Sequence, residues 1–214
     1  MDHTHTGTTI VAMKFQEASG IVLAADKQCT SYGFISMHAK GFQKLHKITD
    51  AVIVAFSGSV AVGQSFVRFM RYHLRQYRLE HNQELRGKGV ANLESLILQS
   101  MGSANEESIG VILGCYDDLA HRCELFSIGS DGSIVDDDYM ATGSGSLFSY
   151  PYIKTRYQQS FDEPRALTLA EDSIRLSSSI DVFSGVGILS ATLTANGIEF
   201  HDVSVEPPLK LHDV

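Results

Sequence analysis

The chain has 214 residues, 43% of them hydrophobic and 20% charged, which suits one globular domain with a substantial buried core. Its formal net charge of -8, without a cluster of basic residues, argues against nucleic acid or an anionic membrane surface as a partner. The three cysteines show no CxxC spacing and no stretch approaches the ~20 apolar residues of a membrane span, so we expect a cytoplasmic protein without disulfides.

The first half of the chain predicts strands followed by two helices. Short β-branched or apolar runs separated by turn-forming residues are typical of strands. An apolar period of 3.6 predicts a long amphipathic helix over residues 61–82, and a second helix over residues 90–101 follows a break at 87–89. The predicted strands are 9–15, 20–25, 33–37, 43–48 and 51–56, with 33–37 and 43–48 expected to form a hairpin that turns at 39–41.

The second half of the chain repeats the order of strands and then two helices, and it closes on two more strands. Two sheets between two pairs of helices would satisfy this order. We expect residues 1–7 to be a short removable leader and residues 8–214 to be a single domain. The predicted strands are 109–116, 122–128, 133–135, 139–142, 187–194 and 197–201, and the predicted helices are 147–159 and 167–180.

The start of the first predicted strand carries a possible nucleophile. If the bond between Gly7 and Thr8 is cut, Thr8 gains a free α-amine next to its hydroxyl, which makes a nucleophile and a base in one residue. Such an amine has an unperturbed pKa of about 7.7–8.0, so a useful fraction is unprotonated near neutral pH. Taken alone, however, Thr8 and Thr9 are equally typical of an ordinary strand start.

Six short motifs occur in the order and approximate spacing found in proteasome β subunits, and the chain resembles that family from residue 7 to about residue 201. The family belongs to the N-terminal-nucleophile hydrolases, and the short leader is most similar to archaeal-type β subunits. The resemblance implies an α+β fold, a four-layer αββα sandwich, and proteolysis inside a closed chamber. The motifs are Gly7-Thr8-Thr9, Ala24-Ala25-Asp26, Gln43-Lys44-Leu45, Ser57-Gly58-Ser59, Thr142-Gly143-Ser144-Gly145-Ser146 and Asp181-Val182-Phe183-Ser184-Gly185.

The resemblance implies a catalytic role for each motif. Thr8 would be the nucleophile, Lys44 would lower the pKa of its amine, and Asp26 would keep Lys44 charged and oriented. The backbone N–H of Gly58 would stabilise the oxyanion of the tetrahedral intermediate. The groups that would orient the amine and relay protons are Ser144, Asp181 and Ser184. Without the resemblance, these residues are equally well interpreted as turn residues, helix caps and a surface lysine.

The resemblance also implies a specificity pocket with Phe56 at its base. A bulky apolar base favours small or medium apolar side chains before the cut bond. The expected walls are Cys29, Phe42, His46 and Val60. His46 would add a pH dependence if it were functional, although a single histidine is more often a packing residue. The nine histidines show no metal-ligand spacing, so no metal or other cofactor is expected.

Three residues at two places depart from the family pattern. Lys27 and Gln28 stand where the family has a small residue and an arginine, and Val186 stands where a second glycine is frequent. The loop at residues 16–19 is also slightly lengthened. None of these differences removes a residue that the implied chemistry requires.

These observations together predict a threonine-type endopeptidase that cuts its own chain between Gly7 and Thr8 and hydrolyses unfolded proteins. The resemblance implies that it joins other β subunits in a heptameric ring, with α-type rings and an ATP-dependent unfoldase as partners. Two alternatives stay open. The chain could be a catalytically silent ring subunit that keeps its leader, or a subunit of the bacterial two-component peptidase built only of β-type rings.

Overall fold

The computed structural model describes residues 7–31, 35–37, 43–102 and 109–203. Within these ranges the strands and helices follow the predicted order, except for a short strand at Cys29–Ser31 that the sequence does not predict. The first group of strands is β1 Ile10–Phe15, β2 Gly20–Asp26, β3 Cys29–Ser31, β4 Ile35–Met37, β5 Leu45–Thr49 and β6 Val52–Gly58, followed by the helices α1 Val60–His81 and α2 Gly87–Gly102. The second group is β7 Ile109–Asp117, β8 Arg122–Ile128, β9 Ile134–Asp136 and β10 Tyr139–Thr142, followed by α3 Ser146–Lys154, α4 Glu163–Ile180, β11 Ile188–Thr194 and β12 Gly197–Val203.

The strands form two antiparallel five-stranded sheets and one short ribbon. The first sheet has the order β10-β1-β2-β11-β12, and the second sheet has the order β5-β6-β7-β8-β9. The ribbon pairs β3 with β4. β2 and β11 lie next to each other although they are far apart in sequence, so the closing hairpin of β11 and β12 belongs to the same sheet as the first two strands.

Successive side chains of a strand point to opposite faces of its sheet, and this alternation explains how the sheets and helices stack in layers. On β1, Ile10 and Ala12 pack in the cluster between the two sheets, whereas Val11 and Met13 pack against α3 and α4 on the other side. The second sheet alternates in the same way and buries its outer face, including Phe56, under α1 and α2. Both faces of each central sheet are therefore buried, and the predicted four-layer αββα sandwich is confirmed.

The hairpin predicted between residues 33–37 and 43–48 is wrong. β4 pairs with β3, with Met37 opposite Cys29, and β5 pairs with β6, with Leu45 opposite Ala55. The predicted turn at 39–41 lies outside the described residues. The physical reason is burial, because Leu45 is fully buried in the cluster between the sheets and therefore requires β5 to be part of the second sheet.

The two helices of the second pair differ from the predicted bounds for local reasons. α4 begins at Glu163, earlier than expected, because the Asp162 side chain accepts the backbone N–H of Arg165 at 3.1 Å and caps the helix. α3 contains Pro151 and ends at Lys154. No helix in the described part of the chain is long and apolar enough to cross a membrane.

Candidate active site

The residues that the sequence singles out lie at one end of the sandwich, where strands of both sheets begin or end. Thr8 precedes β1 and Asp26 ends β2 in the first sheet, whereas Lys44 precedes β5 in the second sheet. The two sheets together therefore position the charged groups. The other members are Gly58 at the end of β6, Ser144 after β10, and Asp181 and Ser184 between α4 and β11.

Lys44 and Asp26 form a buried ion pair that bridges the two sheets. Lys44 Nζ donates to Asp26 Oδ1 at 2.7 Å, and the side chains are 3% and 0% exposed. Burial lowers the pKa of Lys44, and the nearby Asp26 carboxylate opposes this shift. Burial likewise raises the pKa of Asp26, against the effect of Lys44. Each group is thus less ready to carry its charge than a surface residue, and each depends on the other to keep it.

Asp26 is also held by three backbone N–H groups. Its Oδ1 accepts from Thr9 at 2.7 Å, and its Oδ2 accepts from Gln28 and Gly185 at 3.1 Å each. A buried carboxylate is stable when such donors satisfy its oxygens. Because Thr9 directly follows Thr8, Asp26 places the Lys44 ammonium next to the segment that carries the candidate nucleophile.

Thr8 is 4% exposed and contacts the peptide group that precedes it. Its hydroxyl donates to the carbonyl oxygen of Gly7 at 2.6 Å. Gly7 itself lies against the backbone of Phe183, since a Cβ added at Gly7 would lie 1.7 Å from Phe183 Cβ and 2.5 Å from Phe183 O. Position 7 therefore has no space for a side chain, and the close packing fixes the Gly7 carbonyl beside the Thr8 hydroxyl.

A chain of hydrogen bonds joins the nitrogen of Thr8 to the carboxylate of Asp181. The Thr8 backbone N–H donates to Ser144 Oγ at 3.2 Å, and Ser144 Oγ donates to Asp181 Oδ2 at 2.6 Å. Asp181 Oδ2 also accepts from Ser184 Oγ at 2.7 Å. The hydrogen bonds therefore run in one direction, from the Thr8 nitrogen through Ser144 to the Asp181 carboxylate.

The two serines differ in the residue that they contact. Ser144 bonds the nitrogen of Thr8, whereas Ser184 Oγ lies 2.7 Å from Thr9 Oγ1. Since Ser184 donates to Asp181, it accepts from Thr9. Ser144 is accordingly the serine in direct contact with Thr8, a distinction that the sequence leaves open. The Thr9 side chain is a member of the site that the sequence analysis missed. The one sequence feature that could have indicated it is a polar residue at the start of a buried strand.

Gly58 ends β6 with φ 106°, a conformation that favours glycine. The strand brings it close to the ion pair, because Phe56 N–H donates to the Lys44 carbonyl at 3.2 Å, two residues before Gly58. Its position at the Thr8 end of the sandwich is compatible with the expected oxyanion role, which stays a prediction.

The residues expected to form the specificity pocket lie in two places. Phe56 is 1% exposed and stacks on His46, with ring centroids 5.5 Å apart and planes 4° apart, on the side of the second sheet that faces α1. Burial, reinforced by the Arg71 charge, lowers the pKa of His46, which suits a neutral packing partner. Val60 begins α1 and Cys29 begins β3, and both are half-buried. Phe42 lies outside the described residues.

Gln28 is a second residue whose role the sequence analysis did not identify. It is 6% exposed, its backbone N–H bonds Asp26, and its Nε2 donates to the Val182 carbonyl at 2.9 Å. Gln28 thus connects the Asp26 turn to the loop that carries Asp181 and Ser184. Lys27 pairs instead with Asp202 at the surface. Both the backbone N–H and the side-chain amide of Gln28 donate a hydrogen bond, and these contacts are visible only in the three-dimensional structure.

The donor set at this site does not resemble a metal centre. Asp26 and Asp181 are already bonded by lysine, serine and backbone donors. Throughout the described ranges, no group of three or more His, Cys, Asp and Glu side chains is placed to hold a metal ion. What the arrangement provides is a hydroxyl, a carbonyl beside it, a buried ammonium and a relay to a carboxylate.

Comparison with known proteins matches most of the chain to one family. A family model described as "Proteasome subunit" matches residues 4–193. The proteasome subunit beta 2 of Pyrococcus furiosus is 32% identical over 206 residues, which are 95% of this chain and 96% of that protein. The proteasome subunit beta of Methanopyrus kandleri is 31% identical over 195 residues, covering 91% of this chain and 90% of that protein. The corresponding protein of Methanobrevibacter smithii is 29% identical over 196 residues, covering 92% and 91%.

Proposed function

The chain belongs to the proteasome subunit family, and we propose that it is a threonine-type endopeptidase subunit that first cuts its own chain between Gly7 and Thr8 and then hydrolyses unfolded proteins. The observation that carries this proposal is the contact of the Thr8 hydroxyl with the Gly7 carbonyl oxygen at 2.6 Å. In this contact the proposed nucleophile lies beside the one peptide bond whose cleavage would create a terminal amine on the same residue.

The bonds that are made and broken in self-cleavage involve only Gly7, Thr8 and one water. The Thr8 hydroxyl oxygen attacks the carbonyl carbon of Gly7 and loses its proton, and the carbon–nitrogen bond then breaks as the nitrogen takes up a proton. This step leaves Gly7 as an ester on Thr8 Oγ1 and frees the α-amine. Water then hydrolyses the ester, which restores the hydroxyl and releases Gly7 as a carboxylate.

In the mature subunit, the freed amine would act as the base for the hydroxyl of Thr8, with a water between them. The Lys44 ammonium disfavours a second positive charge nearby, so it lowers the pKa of that amine. Asp26 keeps Lys44 charged and in place. Ser144 and Asp181 would continue to hold the Thr8 nitrogen through the relay that is already present before cleavage. Gly58 N–H would bind the oxyanion of the tetrahedral intermediate.

For substrates, we propose peptide segments of unfolded proteins, with a small or medium apolar side chain before the cut bond. The support is the bulky apolar Phe56 at the expected base of the pocket. The proposed walls are Cys29, Phe42, His46 and Val60. No cofactor is part of the proposed mechanism, since the hydroxyl, amine and water supply every group that the reaction needs.

The proposed assembly is a heptameric ring of β subunits stacked with α-type rings and served by an ATP-dependent unfoldase, in the cytoplasm. The support is the family together with the relatives, which are named as proteasome β subunits. Enclosure in such a chamber would restrict a protease of broad specificity to unfolded chains. A chain that forms rings alone, without α-type subunits, would instead favour the two-component bacterial type.

A silent ring subunit is the second candidate, and the loop beside Ser184 favours it. Val186 has φ 66°, a left-handed conformation that a β-branched residue rarely adopts, and it stands where the family frequently has glycine. Strain in this loop could displace Ser184 or Asp181 from working geometry. Retention of Thr8, Asp26 and Lys44 together favours the active subunit.

Intact mass and N-terminal sequencing of the assembled protein test the proposal. We expect a chain that begins at Thr8, a Thr8→Ala variant that keeps the preceding residues, and a Thr9→Ser control that is processed like the wild type. A wild-type chain that stays uncut after assembly with an α-type subunit would favour the silent subunit. A cut Thr8→Ala variant would mean that another residue is the nucleophile.

A further inference from the structure

A groove lies at the end of the sandwich opposite Thr8. It is bounded by α1, by the turn between β5 and β6, and by the segment that leads into α2. Its cavity has a volume of about 510 Å³. The part of this lining used below, which we name the cationic groove, comprises Lys47, Asp50, Arg71, Leu74, Arg75, Arg78, Glu84, Arg86, Tyr116 and Asp118.

The charge of the cationic groove is opposite in sign to that of the whole chain. The chain carries a formal charge of -8, yet cations outnumber carboxylates in the lining of the groove. A positively charged groove on an otherwise acidic protein attracts anionic partners to that one place. The cations are Lys47, Arg71, Arg75, Arg78 and Arg86, and the carboxylates are Asp50, Glu84 and Asp118.

All three carboxylates already have a cationic partner. Arg78 pairs with Glu84 at 3.4 Å, and Arg86 pairs with Asp118. Lys47 pairs with Asp50 in the same way. The groove therefore retains positive charge that its own acidic residues do not balance.

The unbalanced charge belongs to Arg71 and Arg75. Within the described ranges, no carboxylate lies within ion-pair distance of either guanidinium. Arg71 Nη2 donates to the carbonyl oxygen of Lys47 at 2.8 Å, which orients the side chain but does not neutralise it. Like charges at this spacing on a helix repel each other, so an anion bound to both arginines would remove a destabilising contact.

The spacing of the two arginines matches an extended peptide. Residues i and i+4 of a helix have Cβ atoms about 5–6 Å apart. In an extended chain, alternate residues point to the same side and are about 6.5–7 Å apart. A peptide with acidic residues at alternate positions can therefore place one carboxylate on Arg71 and the next on Arg75, while the residues between them point to the opposite side.

The remaining lining also suits an extended chain. Leu74 is buried beneath the arginines, and Tyr116 of β7 is half-buried, so the groove has an apolar base. Beyond Tyr116 the groove continues into a second concavity of about 340 Å³ beside Thr194 and Asn196, in the turn between β11 and β12. Lys47, Asp50 and Tyr116 line both cavities.

We propose that the cationic groove binds an extended acidic segment of a partner protein, with alternate carboxylates on Arg71 and Arg75. Arginine forms two parallel hydrogen bonds with a carboxylate, so each pair gives direction as well as charge. The site is separate from Thr8 and does not depend on whether the chain is cut. Its occupant is a peptide of acidic and apolar residues, because the apolar base and the adjoining second cavity suit an extended chain better than a single small anion.

A fluorescein-labelled peptide with glutamate at alternate positions and leucine between them tests the proposal on the full chain. Fluorescence polarisation should show saturable binding that weakens as salt is added. The double variant Arg71→Gln, Arg75→Gln should bind at least tenfold more weakly. The control Arg68→Gln lies on the same helix and bonds Ser65 outside the groove, so it should bind like the wild type.

Three results would overturn the proposal. They are absence of saturable binding to the wild type, equal binding by the double variant, and displacement of the peptide by inorganic phosphate at a concentration lower than that of unlabelled peptide. The third result would make the groove a phosphate site. Because both arginines are exposed, circular dichroism and Tm should be unchanged, and the single variant Arg75→Gln serves as the test if the double variant is less stable.

Discussion

Ser144 Oγ donates a 2.6 Å hydrogen bond to Asp181 Oδ2, and it does so while accepting the backbone N–H of Thr8. The pair joins the segment after β10 to the loop after α4, so two distant parts of the chain determine the orientation of the Thr8 nitrogen. The relay exists in the uncut chain, and cleavage would only change an amide into an amine at its near end.

Removing this relay should slow catalysis without unfolding the protein. We expect Ser144→Ala to lower peptidase kcat about tenfold, which corresponds to the loss of one oriented hydrogen bond worth ~1.4 kcal/mol in the transition state, with little change in KM. Ser146→Ala, two residues further along, is the matched control and should keep wild-type kcat. Steady-state kinetics on a fluorogenic peptide measures both variants. Wild-type kcat in Ser144→Ala would show that the relay has no catalytic role.

Variants of the buried pair Lys44 and Asp26 should separate its effect on stability from its effect on self-cleavage. Lys44→Met leaves the Asp26 charge unpaired and should lower the free energy of unfolding by about 3–5 kcal/mol. The double variant Lys44→Met, Asp26→Asn removes both charges and should recover part of that loss. Neither should be cut between Gly7 and Thr8 like the wild type, because both lack the buried ammonium that would favour loss of the proton from the Thr8 hydroxyl.

Urea unfolding and intact mass, measured on the same samples, check this prediction. If the double variant is no more stable than Lys44→Met, the interaction between the two charges does not explain the loss. If it is cut like the wild type, the ammonium is not required for self-cleavage.

Glu94 on α2 predicts a pH-dependent stability. It is 0% exposed on the stripe that faces the second sheet near Cys115, and neither carboxyl oxygen has a hydrogen-bond partner among the described residues. Burial raises the pKa of Glu94 well above its ordinary value of 4.5. The folded state therefore binds the proton more tightly than the unfolded state, so this stabilising contribution is complete below about pH 4.5 and is lost as the pH rises towards the folded pKa.

Glu94→Gln should remove this pH dependence, so its stability relative to the wild type should increase from pH 5 to pH 8. Glu94→Met should also remove the unpartnered polar group and stabilise the protein by about 1–3 kcal/mol at pH 8. Glu80→Gln, on the exposed face of α1, is the control and should change little with pH. Urea unfolding across this pH range measures the effect, and a constant difference between Glu94→Gln and the wild type would contradict it.

Val186 should be replaceable by glycine with a gain in stability. At φ 66° a residue with a β-carbon bears strain of about 1–2 kcal/mol, whereas glycine adds about 0.5–1 kcal/mol of chain entropy to the unfolded state. Val186→Gly should therefore raise the free energy of unfolding by about 0.5–1 kcal/mol. Val182→Gly in the same loop has no positive φ to relieve and should be neutral or destabilising. A destabilised Val186→Gly variant would mean that its side-chain contacts outweigh the strain.

The sequence by itself determined the order of the longer strands and helices, the four-layer architecture and most of the residues proposed for the candidate site. Alternation along strands and the 3.6 period of helices are local patterns, and the motifs keep their order along the chain. The two sheet-forming regions could therefore be recognised without any knowledge of how they pair.

Only the tertiary structure decided which groups meet. β5 pairs with β6 because Leu45 must be buried between the sheets, and Ser144 rather than Ser184 contacts the nitrogen of Thr8. The contacts of Gln28, the lack of a hydrogen-bond partner for Glu94 among the described residues, and the unbalanced arginines of the cationic groove likewise appear only in three dimensions. The physical reason is that hydrogen bonds and ion pairs depend on distances of a few ångströms between residues far apart in the chain, which local patterns do not encode.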